Sequence, residues 1–144
     1  MRLAIVEDEV ILAMALTLML EDWGHEVVGT ADSEASAFAL FAAEQPDAVV
    51  MDIRLGRKDS GLRAAGVIRS LSNVPIVFCT AYADTHSIQA QVRAIGNAHL
   101  VGKPVDENQF EYLLRSLEQR QLKMAGDSAG TGLERLLQPA SNDL

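Results

Sequence analysis

The sequence has one cysteine, Cys79, so the chain by itself can form no internal disulfide. A metal site would need other ligands, and such sparing use of cysteine fits a reducing compartment; the expected location is the cytoplasm. Long apolar runs are missing as well. The uncharged stretch at 10–20 is eleven residues, and a membrane-spanning helix needs about 20. The N-terminal apolar segment is only four residues long and runs into Glu7-Asp8-Glu9, which is not the pattern of a signal peptide. No internal repeat is present. Basic residues are scarce in the first part of the chain: residues 1–52 hold Arg2 against eleven acids. The whole chain has 12 basic and 20 acidic residues, a formal charge of −8. A balance of this sign argues against direct nucleic-acid binding, because phosphate contacts need a basic face.

What is present is ordinary for one globular domain. The chain has 144 residues, 49% of them hydrophobic and 22% charged. Short apolar runs at 3–6, 25–30, 48–51, 76–79 and 99–101 read as strands. Helical patterns at 10–23, 33–44, 62–71, 84–95 and 106–122 alternate with them, with Ser33 as an N-cap. Five strands alternating with five helices predict a doubly wound α/β fold of the flavodoxin-like type, with a five-stranded parallel sheet in the order 2-1-3-4-5 and helices on both faces. The expected domain covers residues 1–122. Beyond it, Ala125-Gly126-Asp127-Ser128-Ala129-Gly130 is linker-like, so residues 123–144 are expected to form a flexible tail with room for one or two helical turns at 133–137.

In an open parallel sheet, ligands bind beyond the carboxyl ends of the strands. Read in order, those ends are Glu7-Asp8, Asp52, Cys79-Thr80 and Gly102-Lys103-Pro104. Taken singly, each residue has an ordinary reading: a turn aspartate, a turn hydroxyl, a surface lysine. Together they form one set. Three converging carboxylates repel and call for a cation, and oxygen ligands with room for water and phosphate suit Mg²⁺. A carboxylate can attack a phosphoryl group; a lysine and a hydroxyl can then bind the phosphoryl oxygens.

With Ile5-Val6-Glu7-Asp8-Glu9, Val49-Val50-Met51-Asp52-Ile53-Arg54-Leu55, Thr80-Ala81 and Lys103-Pro104 in this order, the sequence resembles the receiver domain of two-component response regulators, of the stand-alone type. The resemblance implies that Asp52 is the phosphoacceptor and that Lys103 and Thr80 bind the phosphoryl group. It implies Mg²⁺ held by Glu7, Asp8, Asp52 and the backbone carbonyl of Arg54, and a cis peptide before Pro104. The implied partners are a histidine kinase or phosphotransfer protein and a downstream protein, with a second copy of the chain as a further candidate. The implied role is a switch rather than an enzyme.

The sequence also departs from the family pattern. Glu7 stands where Asp is commoner, and the frequent Met-Pro pair after the phosphorylated Asp is absent. Leu100 stands where many receivers carry a Tyr or Phe, so Tyr82 becomes the candidate mobile aromatic. Phe78-Cys79-Thr80-Ala81-Tyr82 resembles the corresponding stretch of some stand-alone regulators paired with kinases of the HWE type. Arg54 and Tyr82 occupy places that in the family tune hydrolysis of the acyl phosphate. The first helix is expected to bury Leu12, Ala15, Leu16, Met19 and Leu20 and to leave Val10, Ile11, Met14 and Leu18 as a partner surface.

Three rival readings follow from the same residues. A phosphatase with a strand-end aspartate would typically carry a second acid where Arg54 stands, and would need a cap over its substrate. A fragment of a longer regulator would continue past Leu144. A receiver-like scaffold would never be phosphorylated.

Overall fold

A computed structural model describes residues 1–137. In chain order the elements are β1 (Arg2–Val6), α1 (Val10–Asp22), β2 (Glu26–Ala31), α2 (Glu34–Glu44), β3 (Ala48–Met51), β4 (Arg54–Leu55), β5 (Asp59–Ser60), α3 (Gly61–Leu71), β6 (Ile76–Thr80), α4 (His86–Ile95), β7 (Ala98–Gly102) and α5 (Glu107–Leu137). Five strands form one parallel sheet in the order β2-β1-β3-β6-β7. Apart from the small β4–β5 pair, this is the expected 2-1-3-4-5 arrangement.

The central strands are apolar throughout because both of their faces are covered. Every residue of β3 and β6 is buried, Thr80 included. Alternation along β1 sends Ala4 and Val6 into a cluster with Phe41, Met51, Ile68 and Phe78. On α1, Ala13 and Leu20 are buried, and Trp23 packs edge-on against Phe110 with ring centroids 5.6 Å apart.

Local chemistry accounts for the helix starts. Ser33 Oγ accepts from the Ser36 N–H at 3.1 Å, and Ser36 Oγ accepts in return from the Ser33 N–H at 3.0 Å. This is a capping box built from two serines. Ser60 likewise caps α3, its Oγ accepting from the N–H of Leu62 at 3.1 Å.

Three local expectations need correcting. The stretch 56–61, read as a plain polar loop, includes one side of an antiparallel pair in which Arg54 faces Ser60 and Leu55 faces Asp59. Leu55 is buried, and an apolar anchor beside a glycine at φ +70° (Gly56) is enough to fold the chain back. On α1 the inward stripe falls on Ala13, Leu16, Thr17 and Leu20, while Leu12 and Ala15 are exposed; the i, i+3, i+4, i+7 spacing is one residue out of step with the expected one. The last helix continues past residue 122 to Leu137, since residues 119–125 are good helix formers and Pro139 lies further on. Residues 138–144 of the expected tail lie outside the described residues. Met1–Phe110 form one compact unit, and the chain from Glu111 forms a second. Among the described residues no helix is long and apolar enough to cross a membrane.

Candidate functional site

The parallel register brings the predicted residues to one edge of the sheet. Val6 pairs with Met51, so Glu7 and Asp8 leave β1 beside Asp52 leaving β3; Thr80 pairs with Gly102, which sets Lys103 next to the end of β6. The Lys103 N–H donates to the Thr80 carbonyl at 2.9 Å, and the Lys103–Pro104 peptide is cis. Lys103 Nζ lies 2.9 Å from Asp52 Oδ2 and 3.6 Å from Glu7 Oε2.

The two neighbouring acids of β1 do different work. The Glu7 side chain is 2% exposed. Its carboxyl is pushed up to about 7, first by burial and then by the negative charge of Asp52, with Lys103 opposing. Asp8 is half-buried and its Oδ2 accepts from the Gly56 N–H at 2.9 Å, which ties the β4 turn to the end of β1. Burial works against the charge on Lys103, but the hydrogen bond and field of Asp52, aided by Glu7, more than offset it and raise the Lys103 pKa. Cys79, behind the site, is buried, and burial pushes its thiol up to about 12. It is an inert apolar filler there.

Oxygen atoms of Glu7, Asp8 and Asp52 can all lie within 4.8 Å of one another. Octahedral Mg²⁺, with oxygens at about 2.0–2.1 Å, needs ligands spaced on this scale. The residues therefore fit a small divalent cation.

Asp52 is held from its own loop: its Oδ1 accepts from the Arg54 N–H at 3.3 Å. Thr80 is buried, and its Oγ1 accepts from the Tyr82 N–H at 3.1 Å. Arg54 and Tyr82 are both exposed and stack, with the guanidinium carbon 4.3 Å from the ring centroid. Val10, Ile11, Met14 and Leu18 are 60–80% exposed.

Gly61 is a site residue that sequence reasoning missed. Its N–H donates to the Ile53 carbonyl at 2.7 Å. A Cβ there would overlap the Asp52 carbonyl oxygen and would lie 2.9 Å from its carbonyl carbon and 3.1 Å from Ile53 Cα. The Ser60-Gly61 step at the start of a helix was the only available signal.

This arrangement has close counterparts. A family model described as the response regulator receiver domain matches residues 3–115. The chain belongs to this family. Among curated relatives, the transcriptional regulatory protein PdtaR of Mycobacterium tuberculosis is 37% identical over 100 residues, covering 69% of this chain and 48% of that protein. The phyllosphere-induced regulator PhyR of Methylorubrum extorquens is 35% identical over 79 residues, covering 54% and 30%. The chain thus spans half or less of the length of these relatives. Among solved structures, the response regulator PhyR of Brucella abortus superposes with a TM-score of 0.70 at 31% identity, over 88% of this chain and 51% of that one. A two-component response regulator from Clostridium difficile shares the fold, with a TM-score of 0.76 at 19% identity, over 83% and 97%. The receiver assignment made from the four strand-end motifs is borne out, and so is the fold.

Proposed function

We propose that this receiver domain is a phosphorylation switch whose acceptor is Asp52. The observation that carries the reading is the Lys103 ammonium 2.9 Å from Asp52 Oδ2, beside a cluster of three carboxylates. A phosphohistidine of a histidine kinase or phosphotransfer protein is the expected donor. An Asp52 carboxylate oxygen attacks phosphorus; the O–P bond forms as the N–P bond breaks, and the electron pair leaves with the imidazole nitrogen. Glu7, Asp8, Asp52 and the Arg54 carbonyl are the proposed holders of Mg²⁺, which would neutralise charge on the phosphoryl oxygens. Lys103 then binds one phosphoryl oxygen, and the Thr80 hydroxyl donates to another.

The role is a switch in the cytoplasm and not that of an enzyme. Its output is contact with another protein, with no direct binding of nucleic acid, in keeping with the charge of −8. The exposed Val10, Ile11, Met14 and Leu18 of α1 are the proposed docking face for the phosphodonor protein. Incubation with Mg²⁺ and a small phosphodonor, followed by intact mass, tests the chemistry. One phosphoryl adduct is expected on the wild type and none on Asp52→Ala or in EDTA. A wild type that stays unmodified even with cognate kinases would favour the scaffold reading.

A further inference from the structure

Two exposed side chains meet over the mouth of the site. Arg54 follows Asp52 by two residues and Tyr82 follows Thr80 by two. The guanidinium carbon lies 4.3 Å from the ring centroid, inside the range of about 6 Å for a cation–π contact. Both residues border an opening of about 290 Å³ that Asp52, Thr80 and Lys103 also line. Each is tethered by its backbone to a residue of the site: the Arg54 N–H to Asp52 Oδ1 at 3.3 Å, and the Tyr82 N–H to Thr80 Oγ1 at 3.1 Å. Their other ends hold one another.

The state of Arg54 is informative. Acids crowd this edge of the sheet, yet among the described residues Arg54 makes no ion pair. A guanidinium resting on an exposed ring is weakly held. A dianionic phosphoryl group two residues away would be a far stronger partner, offering charge-assisted hydrogen bonds that a guanidinium can meet in pairs. Lys103 holds Asp52 Oδ2, and Oδ1 is the oxygen on the Arg54 side.

We propose that the Arg54 guanidinium is a second phosphoryl-binding cation, stored on the Tyr82 ring and transferred to the phosphoryl oxygens when Asp52 is modified. The proposal rests on the reading of Asp52 as phosphoacceptor. It also supplies a route outward. The Tyr82 carbonyl accepts from the N–H of Thr85 at 3.1 Å, and Thr85 is the N-cap of α4. Loss of the stack releases the Tyr82 ring at the start of that helix. The charge on Asp52 is thereby felt at the α4 surface without a ring at Leu100, which is half-buried against the core.

The test is NMR of the full chain with Mg²⁺, before and after modification of Asp52 by phosphoramidate or by beryllofluoride, which adds to a carboxylate as a phosphoryl mimic. In the free protein the Arg54 side-chain protons should be shifted upfield by the ring, and Tyr82→Leu should abolish the shift. On modification, the wild-type signals should move to the position of the free Tyr82→Leu protein or beyond it. Beryllofluoride should bind Tyr82→Leu about two- to fivefold more tightly than wild type, the factor the ring contact is worth. It should bind Arg54→Gln more than fivefold more weakly, with Arg54→Lys in between. An adduct on wild type with unchanged Arg54 shifts, or equal beryllofluoride affinity in all four proteins, overturns the role of Arg54 and leaves Asp52 as acceptor. Absence of any adduct on wild type overturns both.

Discussion

Gly61→Ala is the substitution that separates the tertiary structure from the sequence pattern. By helix propensity alone, alanine at the first residue of α3 should be favoured over glycine by up to about 1 kcal/mol. The structure reverses the sign. The added Cβ would overlap the Asp52 carbonyl oxygen and approach its carbonyl carbon to 2.9 Å. Both groups are backbone, fixed by the Gly61 N–H···Ile53 hydrogen bond of 2.7 Å and by the Asp52 N–H bond to the Val6 carbonyl at 2.9 Å. Relief requires a backbone shift, and overpacking of this kind costs about 1–3 kcal/mol. The loss is a large share of the roughly 5–15 kcal/mol that holds a domain together, and it corresponds to a Tm lower by about 3–12 °C. The segment that must move carries Asp52, so Mg²⁺ affinity should fall with stability. Gly66→Ala, in the same helix, is the control: nothing lies within 4 Å of its Cβ position, and it should stabilise by about 0.5–1 kcal/mol. Urea unfolding in EDTA and a Mg²⁺ titration read both effects. A Gly61→Ala protein that unfolds within about 0.5 kcal/mol of wild type and binds Mg²⁺ as tightly would refute the clash at Asp52.

Other outcomes follow from the site and the helix starts. Glu7 has a folded pKa of about 7, well above its ordinary value. Its contribution to stability without metal is therefore full below about pH 4.5 and is lost as pH rises through 7. In EDTA, Glu7→Gln should gain on wild type over that window, and saturating Mg²⁺ should cancel the gain; parallel pH profiles of the two proteins would contradict this. Lys103→Met leaves Asp52 and Glu7 without their shared cation, so Glu7 should titrate at a higher pH, which carboxyl NMR can follow, and no stable adduct should accumulate at Asp52. Ser33→Ala removes one half of the α2 capping box and should cost about 0.5–2 kcal/mol in urea unfolding while leaving Mg²⁺ affinity intact; a neutral result would mean that solvent caps the helix equally well.

Much of the site was legible because a parallel α/β sheet leaves little freedom. Once apolar runs and helical stretches alternate, every strand must point the same way, and the residues that follow the strands must meet at one edge. Glu7, Asp8, Asp52, Thr80 and Lys103 could thus be grouped from their places after 3–6, 48–51, 76–79 and 99–101. Serine before an alanine-rich stretch likewise marked the start of α2, since a cap acts on its own helix and needs no distant partner.

The remaining features depend on contacts between distant segments. Glu7 and Asp8 are adjacent carboxylates in the chain, and only the packing decides that the first is buried against Lys103 while the second is half-buried and holds Gly56. The need for glycine at position 61 arises from the close approach of α3 to the Asp52 backbone, for which periodicity carries no signal. The helix α1 is apolar almost all round, so its pattern could not say which stripe faces the sheet; docking selected Ala13 and Leu20. The stack of Arg54 on Tyr82 joins β4 to the segment after β6, 28 residues apart in the chain. Local preference and strand order were determined by the sequence alone, because they act over a few residues or through a topological rule. Burial, charge pairing and close backbone approach were decided only by the tertiary structure, because each is a property of two segments brought together.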